Sequence, residues 1–285
     1  MLVLAIARLT IREAARRRLL LALLILTVIA ILLSAWGFSH MTTLKCEDGS
    51  PCTAEQVRGV AFALTTLLAF MFSFVLALSA AFTGSSSIAS EVESGIAQAI
   101  LARPISRTEV VLGKWLGFTV LITVYAAVVS VIELGLVAWI TGYAAPHVAP
   151  FIAFLAAEGM VLMSMALLFS TRLSNITGGV MAVSAFGLAW IAGIVGGFGQ
   201  AFNNDTVRSV GTISRLLIPT DGLWRGAIYS LEPAVYIAAQ NTVRQSAANP
   251  FYASSYPAWP YLAWVTLWIV VIVGLAVVSF QRREL

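Results

Sequence analysis

Two acidic residues, Glu133 and Glu158, each lie near the middle of a run that is otherwise apolar. If such runs cross a bilayer, an ionised side chain facing lipid costs a few kcal/mol, so both carboxyl groups must face protein or water. Two roles fit them equally. They line a polar path for a substrate, or they are packing contacts that are protonated or hydrogen-bonded, with Ser130 and Ser164 as candidate partners.

The chain contains two cysteines, Cys46 and Cys52, in the segment CEDGSPC. On the outer side of a cell membrane the environment is oxidising, so this pair predicts a disulfide-closed loop. Metal binding is the alternative because His40 is close by, but a metal site needs more ligands and His147 is far along the chain. The sequence therefore favours a disulfide and no metal site.

No motif for nucleotide chemistry is present. Gly113 and Lys114 are followed by Trp115 and lack the earlier glycine of the G-x-x-x-x-G-K-[ST] phosphate-binding loop. Neither histidine lies inside an apolar run, where an intramembrane enzyme would need a base beside its nucleophile. We therefore expect no catalytic residue and no cofactor in this chain.

A polar connection between two apolar runs, SEVESGIAQAILARP, has the signals of a short helix. Ser90 is followed three residues later by Glu93, which is the pattern of a capping box. Pro104 disfavours helical geometry at Arg103 and so ends the helix. We expect an amphipathic helix over about 90–103, parallel to the membrane on its cytoplasmic side.

A second capping box follows at once, formed by Ser106 and Glu109. Ile105 and Val110 occupy the two positions of a hydrophobic staple, which fixes the angle at which the chain enters a helix. The next helix should therefore begin at Arg107. The short cytoplasmic helix would then be joined rigidly to a membrane-spanning helix and would act as a lever.

The composition requires a membrane around these elements. Of 285 residues, 60% are hydrophobic and 11% are charged, against about 45–50% and 25% in soluble domains. The mean hydropathy of +0.92 likewise indicates that lipid surrounds most of the chain. Six apolar runs are long enough to cross a bilayer, at about 18–38, 59–83, 111–141, 149–170, 176–198 and 259–280.

Basic residues set the expected orientation. With the N-terminus in the cytoplasm, Lys45 and Arg58 are the only basic residues in short outer loops. The cytoplasmic side then holds Arg8, Arg12, Arg16, Arg17, Arg18, Arg103, Arg107, Lys114, Arg172, Arg282 and Arg283. This distribution satisfies the positive-inside rule and places both termini in the cytoplasm. Because these residues flank apolar runs, the net charge of +4 indicates lipid as a partner and excludes nucleic acid.

Two further segments have helical periodicity outside the spans. Residues 2–17 predict an interfacial amphipathic helix, with arginines on one side and an apolar side made of Leu4, Ala7, Ile11, Ala14 and Ala15. The outer segment 199–258 predicts two amphipathic helices. Their apolar residues are Val207, Val210, Ile213 and Leu217 before Pro219, then Leu223, Trp224, Ala227, Ile228 and Leu231 after a cap at Thr220 or Asp221.

Small residues recur at every fourth position of the fifth run, which permits close contact with another helix. They are Ala185, Ala189, Gly193 and Gly197. We expect this ridge to serve packing.

The connection between the second and third runs resembles the ABC-2 type permeases, in the group that contains multidrug-type and copper-processing permeases. The resemblance is carried by Glu91-x-Glu93-x-Gly95, by Leu101-Ala-Arg-Pro104-Ile-Ser-Arg107 and by Leu112-Gly-Lys114. It implies an all-α integral membrane domain of six transmembrane helices. That domain has an N-terminal interfacial helix, a cytoplasmic coupling helix between spans 2 and 3, and outer amphipathic helices between spans 5 and 6.

The resemblance also implies a function. Such a permease couples ATP hydrolysis by a separate ATP-binding cassette subunit, which holds the ATP and magnesium, to export of a solute or lipid. A second permease copy or homologue completes the assembly. The residues implied in coupling are Glu91, Glu93, Gly95, Arg103, Pro104, Ser106, Arg107, Gly113 and Lys114. Glu91 and Glu93 project from different sides of a helix, so one can contact the ATPase while Glu93 closes the Ser90 cap.

Two other functions stay open. An ion-driven secondary transporter would need several buried ionisable sites, for which Glu133 and Glu158 are thin support. Alternatively, a permease transmits force to an extracytoplasmic partner without passing substrate.

Overall fold

A computed structural model describes residues 2–16, 18–41, 43, 52–95, 105–241 and 247–283. These residues form α-helices and connecting turns, with no β-strand among them. The helices are α1 (Leu2–Arg16), α2 (Arg18–Met41), α3 (Ala54–Glu93), α4 (Arg107–Thr141), α5 (Val148–Ser170), α6 (Asn175–Ala201), α7 (Asp205–Leu217), α8 (Thr220–Leu231), α9 (Ala234–Asn241) and α10 (Trp259–Gln281).

Six of these helices, α2 to α6 and α10, are long and apolar enough to cross a membrane. They correspond one for one to the six predicted runs, so the all-helical, six-span class is confirmed. The largest difference is in α3, which was predicted to span about 59–83 and runs from Ala54 to Glu93. It begins at a capping box between Thr53 and Gln56 that the sequence analysis did not identify.

The predicted capping box at Ser90 is wrong. Ser90 lies inside the last turns of α3, and its hydroxyl donates back to the carbonyl of Ser86. The helix ends only at Ser94, and Gly95 follows with a φ of 75°. A serine three residues before a glutamate caps a helix only where the preceding backbone is not helical, and here α3 is already formed.

The second capping box is confirmed. Ser106 accepts a hydrogen bond from the backbone of Glu109 at 3.2 Å, and the Glu109 carboxylate accepts one from the backbone of Ser106 at 2.9 Å. The helix begins at Arg107 as predicted. Val110 is buried and Ile105 packs against its cluster, which agrees with the predicted staple.

Removing this cap should weaken the start of α4. We expect Ser106→Ala to lower the free energy of unfolding by about 1 kcal/mol, because one of the first backbone N–H groups loses its partner. Ser106→Thr keeps an oxygen acceptor and should retain most of the stability. The midpoint of thermal unfolding in detergent compares the two variants, and equal losses in both would contradict a capping role.

The N-terminal helix packs on the start of α4 through two glycines. A Cβ at Gly113 would lie 2.6 Å from Cβ of Ile6, and one at Gly117 would lie 2.8 Å from the carbonyl oxygen of Ala7. Such contacts between backbones need small residues on one of the two helices.

The buried face of α1 differs from the predicted apolar face. Ala7 and Ala14 are buried as expected, but Thr10 is buried too, whereas Leu4 is 67% exposed and Ala15 is exposed. The glycines of α4 determine which face of α1 fits, because α1 packs on them through Ile6, Ala7 and Thr10.

Helix α5 lies at the centre of the bundle, in contact with α3, α4, α8 and α10. Every side chain from Val161 to Leu167 is buried. A helix that is buried on all sides needs apolar residues all round, which explains why this run shows no polar face.

The spans alternate in direction, so the bundle has two ends. The termini end is where Arg107, Thr171 and Phe280 meet: Arg107 donates to the carbonyl oxygen of Phe280 at 2.9 Å, and Arg283 donates to that of Thr171 at 2.7 Å. The distal end carries α7 to α9. Tyr143 donates to the Leu231 carbonyl there.

The two helices predicted in the segment 199–258 are present as α7 and α8, at the distal end. The predicted apolar face of α8 is buried, with Trp224 at 2% exposure. The predicted cap at Thr220 or Asp221 is wrong, because Pro219 is the N-cap residue and makes no side-chain bond. Thr220 and Asp221 lie inside the first turn of the helix.

Candidate coupling and interior sites

The termini end contains a partly buried ion pair between two of the residues implied in coupling. Nζ of Lys114 lies 2.6 Å from Oε1 of Glu91 and also 2.6 Å from the carbonyl oxygen of Ser87, to which it donates. The side chains of Lys114 and Glu91 are 7% and 17% exposed. This pair links the last turns of α3 to the second turn of α4.

Because Glu91 belongs to this ion pair, Glu91 and Glu93 lie in different surroundings. Glu91 turns inward toward α4, so it is not the residue that projects to a partner. Glu93 is exposed, and it cannot close a cap at Ser90 because Ser90 is within α3. Glu91, which was expected to face a partner, is thus paired with Lys114, and the Ser90 cap expected for Glu93 is absent. The sequence lacked a signal for this because the partner, Lys114, lies 23 residues away.

Several other residues implied in coupling belong to the packing of this end. Arg107 donates through Nη1 to the carbonyl oxygens of Phe280, Gln281 and Arg283 at 2.7–3.0 Å, which are the unpaired acceptors at the end of α10. Gly113 contacts α1. Gly95 ends α3 in the left-handed conformation, a position that suits glycine. Arg103 and Pro104, with most of the predicted coupling helix, lie outside the described residues.

The interior carboxyl group of Glu133 faces α2. It accepts a hydrogen bond from Ser34 at 3.0 Å, while its other oxygen has no partner among the described residues. Beside it is a cavity of about 20 Å³, lined in part by Thr65 and Ser130. That volume holds about one water molecule.

The carboxyl group of Glu158 faces α3 and accepts a hydrogen bond from Ser73 at 2.8 Å. Glu158 is 2% exposed, so it faces protein rather than lipid. The proposed serine partners were wrong for both glutamates. Ser164 instead accepts from the indole N–H of Trp115, and Ser130 only lines the cavity beside Glu133.

Sequence reasoning missed a charged group at the distal end. Asp221 is 4% exposed and forms ion pairs with Arg215 at 2.6 Å and with Arg225 at 3.3 Å. The spacing of Asp221 and Arg225, one turn apart on α8, was the available signal. A Cβ at Gly193 would overlap the Asp221 carboxyl group, so this position of the small-residue ridge makes room for the ion pair.

Glu232 fixes the segment that follows α9. Its Oε1 accepts the backbone N–H of Ala253 at 3.1 Å. Burial raises the pKa of Glu232 to about 7, although the bond from Ala253 opposes this shift. The segment around Ala253 is thereby held against the end of α8.

The predicted cysteine pair is described in part. Cys52, just before the Thr53 cap, is disulfide-bonded. Cys46 lies outside the described residues, so the pairing of Cys46 with Cys52 stays a prediction. Among the described residues, no group of three or more His, Cys, Asp or Glu side chains could hold a metal ion.

The six apolar helices, with the carboxyl groups of Glu133 and Glu158 kept inside the bundle, are those of a multi-pass membrane protein and fit a membrane permease. The chain matches the family model for ABC-2 family transporter proteins over residues 4–285 and belongs to that family. No curated protein is significantly similar to it. It is thus a permease of an ABC transporter, and such permeases are membrane subunits that generally work with ABC ATPase subunits.

Proposed function

We propose that this chain couples ATP hydrolysis, performed with magnesium by a separate ATPase subunit, to export of a solute or lipid. A second permease copy or homologue would complete the assembly. The proposal is supported by the contacts that join α1, α3 and α10 to α4 at the termini end. The Lys114–Glu91 ion pair, the Arg107 contacts with α10 and the packing of α1 on Gly113 all converge on the first two turns of α4.

These contacts provide a path by which a displacement at the termini end passes from α3 and α4 to α10. A partner that pushes on the connection between Gly95 and Ile105 moves α3 and α4 together, because the ion pair joins them. The Ser106 cap and the staple of Ile105 and Val110 fix the start of α4. Arg107 carries the displacement to α10. Rigid elements of this kind transmit a shift from one face of a bundle to another.

Glu93 is the residue we assign to the docking surface, because it is exposed at the end of α3. Glu93→Lys should reduce co-purification of the ATPase with the tagged chain several-fold, or uncouple hydrolysis from transport in reconstituted vesicles. Glu55→Lys is the matched control, since it makes the same change at an exposed position at the other end of the same helix. If both variants bind the ATPase equally well, α3 does not contribute to docking.

The orientation follows from the basic residues of the short connections. The termini end carries Arg107, Lys114, Arg172, Arg282 and Arg283, which supports a cytoplasmic position for that end in the cell membrane. The distal end would then face outward, where an extracytoplasmic partner could receive force. An ATPase that binds the termini end agrees with this orientation.

Glu158 is our candidate for the translocation path. Glu158→Gln keeps the shape and the bond from Ser73 while removing the ability to ionise. If the carboxyl group serves transport, substrate-stimulated ATP hydrolysis by the assembled complex should change while assembly is preserved. Unchanged hydrolysis and transport would leave Glu158, and by analogy Glu133, as packing contacts.

A further inference from the structure

A cavity of about 910 Å³ opens at the distal end. Its walls come from the end of α6, from α7 and α8, from the segment 252–258 and from Tyr261 at the start of α10. Ligand-binding pockets are commonly about 300–1,000 Å³. The cavity is therefore large enough for a small molecule or a lipid headgroup.

Three arginines line this cavity: Arg208, Arg215 and Arg225. Asp221 balances part of their charge, and it pairs through one oxygen with Nε of Arg215 and with Nε of Arg225. Three guanidinium groups against one carboxylate leave the cavity positive. A site of this kind attracts an anion.

The ion pairs also position the arginines. Asp221 accepts hydrogen bonds from the Nε atoms of Arg215 and Arg225, which holds both guanidinium groups in place. Their terminal Nη groups are left available to a ligand. One of these, Nη2 of Arg225, lies 3.4 Å from the carbonyl oxygen of Gly193, a long and weak contact. Planar guanidinium groups with paired N–H donors match the oxygens of phosphate.

The backbone of Arg208 is hydrogen-bonded within α7, but its guanidinium group has no hydrogen-bond or ion-pair partner among the residues that the structure describes. It lies one α-helical heptad before Arg215, so the two arginines share a face of α7. Between them, Gly211 packs against Gly196 of α6. Close contact between the two helices thus brings Arg208 and Arg215 to the cavity wall.

A different face of α7 is apolar and uncovered. Val210, Ile213 and Leu217 are 43%, 55% and 65% exposed. At the surface of a membrane, such a face lies against acyl chains. The cationic cavity and the apolar face lie on opposite sides of α7. With its apolar face against acyl chains, α7 lies at the membrane interface, and the cavity is then at the level of the phospholipid headgroups.

We propose that the distal cavity is a binding site for a phosphate group, with an anionic phospholipid headgroup as its source. The site is built from Arg208, Arg215 and Arg225, and Ser254 and Ser255 also line the cavity. It does not depend on the ATPase partner proposed above, because its residues belong to this chain and lie at the opposite end of the bundle.

The test is native mass spectrometry of the purified full chain in detergent, with phosphatidylglycerol or phosphatidylcholine added. We expect phosphatidylglycerol to be retained and phosphatidylcholine to be lost. Arg208→Gln should weaken retention of phosphatidylglycerol by about tenfold, as removal of a charge-assisted contact does. Arg58→Gln is the control because Arg58 is exposed at the same end but does not line the cavity.

Inorganic phosphate distinguishes the two possible sources. If free phosphate does not displace phosphatidylglycerol, or does so only at high concentration, the lipid is the ligand. If free phosphate binds in an Arg208-dependent way and the lipid does not, the site takes a soluble phosphate. The proposal is overturned if neither probe binds, if both lipids bind equally, or if Arg208→Gln behaves like Arg58→Gln. Arg208 is exposed, so the midpoint of thermal unfolding should not change in Arg208→Gln.

Discussion

Replacing Glu91 with Lys is expected to destabilise the protein by up to about 3 kcal/mol, the lower end of the cost of breaking a buried ion pair, because this pair is partly buried. Nζ of Lys114 lies 2.6 Å from the Glu91 carboxylate and is nearly buried, so the change would bring two ammonium groups together. The midpoint of thermal unfolding in detergent measures the effect. Any loss of ATPase binding in this variant would then come from altered structure rather than from a lost docking contact.

Two comparisons make this prediction specific. Glu93→Lys alters an exposed position two residues away and should leave the unfolding midpoint nearly unchanged. Glu91→Lys combined with Lys114→Glu restores opposite charges and should recover part of the lost stability. If Glu91→Lys is as stable as Glu93→Lys, the ion pair does not hold α3 to α4. A displacement of α3 would then not be passed to α4 through this pair.

Replacing Gly196 with Val is expected to separate α6 from α7. A Cβ at Gly196 would lie 2.6 Å from Cα of Gly211, a backbone atom that cannot move without moving its helix. Overpacking of this kind costs about 1–3 kcal/mol, and more where backbone is involved. The variant should unfold at lower temperature, and it should also lose Arg208-dependent lipid retention because α7 carries that residue.

The matched control for this substitution is Gly187→Val in the same helix. Nothing lies within 4 Å of a Cβ at Gly187, so a side chain there meets open space. We expect its unfolding midpoint to be unchanged or slightly higher, since Gly is a poor helix former. Equal losses in the two variants would mean that contact with Gly211 does not set the effect of Gly196→Val.

The sequence predicts those features that depend on neighbours a few residues apart. The Ser106 capping box and the staple place the start of α4 correctly because both signals lie within six residues. The apolar face of α8 is correct because its periodicity matches a helix buried on one side. The six spans follow from apolar runs whose length matches a bilayer.

Features that depend on distant partners were not predictable. Ser34 and Glu133 are 99 residues apart, and Ser73 and Glu158 are 85 apart, so local spacing holds no signal for either contact. The inward position of Glu91 likewise depends on a residue of the next span.

The buried face of each short helix was not predictable either, because it too depends on distant partners. Both α1 and α7 dock on glycines of a neighbouring span, and the positions of these glycines decide which face of each short helix is covered. As a result Leu4 on α1 and Leu217 on α7, which the periodicity assigned to apolar faces, are exposed to the surroundings of the bundle.

The central claim is that an ATPase subunit docks at the termini end. The most direct measurement places a photoreactive side chain at position 93 or at position 205, which are exposed at the termini end and the distal end. Each tagged variant is irradiated in its native membrane, and the cross-linked proteins are identified. We predict that a phosphate-loop ATPase is captured from position 93 and not from position 205. Capture from position 205 alone would contradict the account.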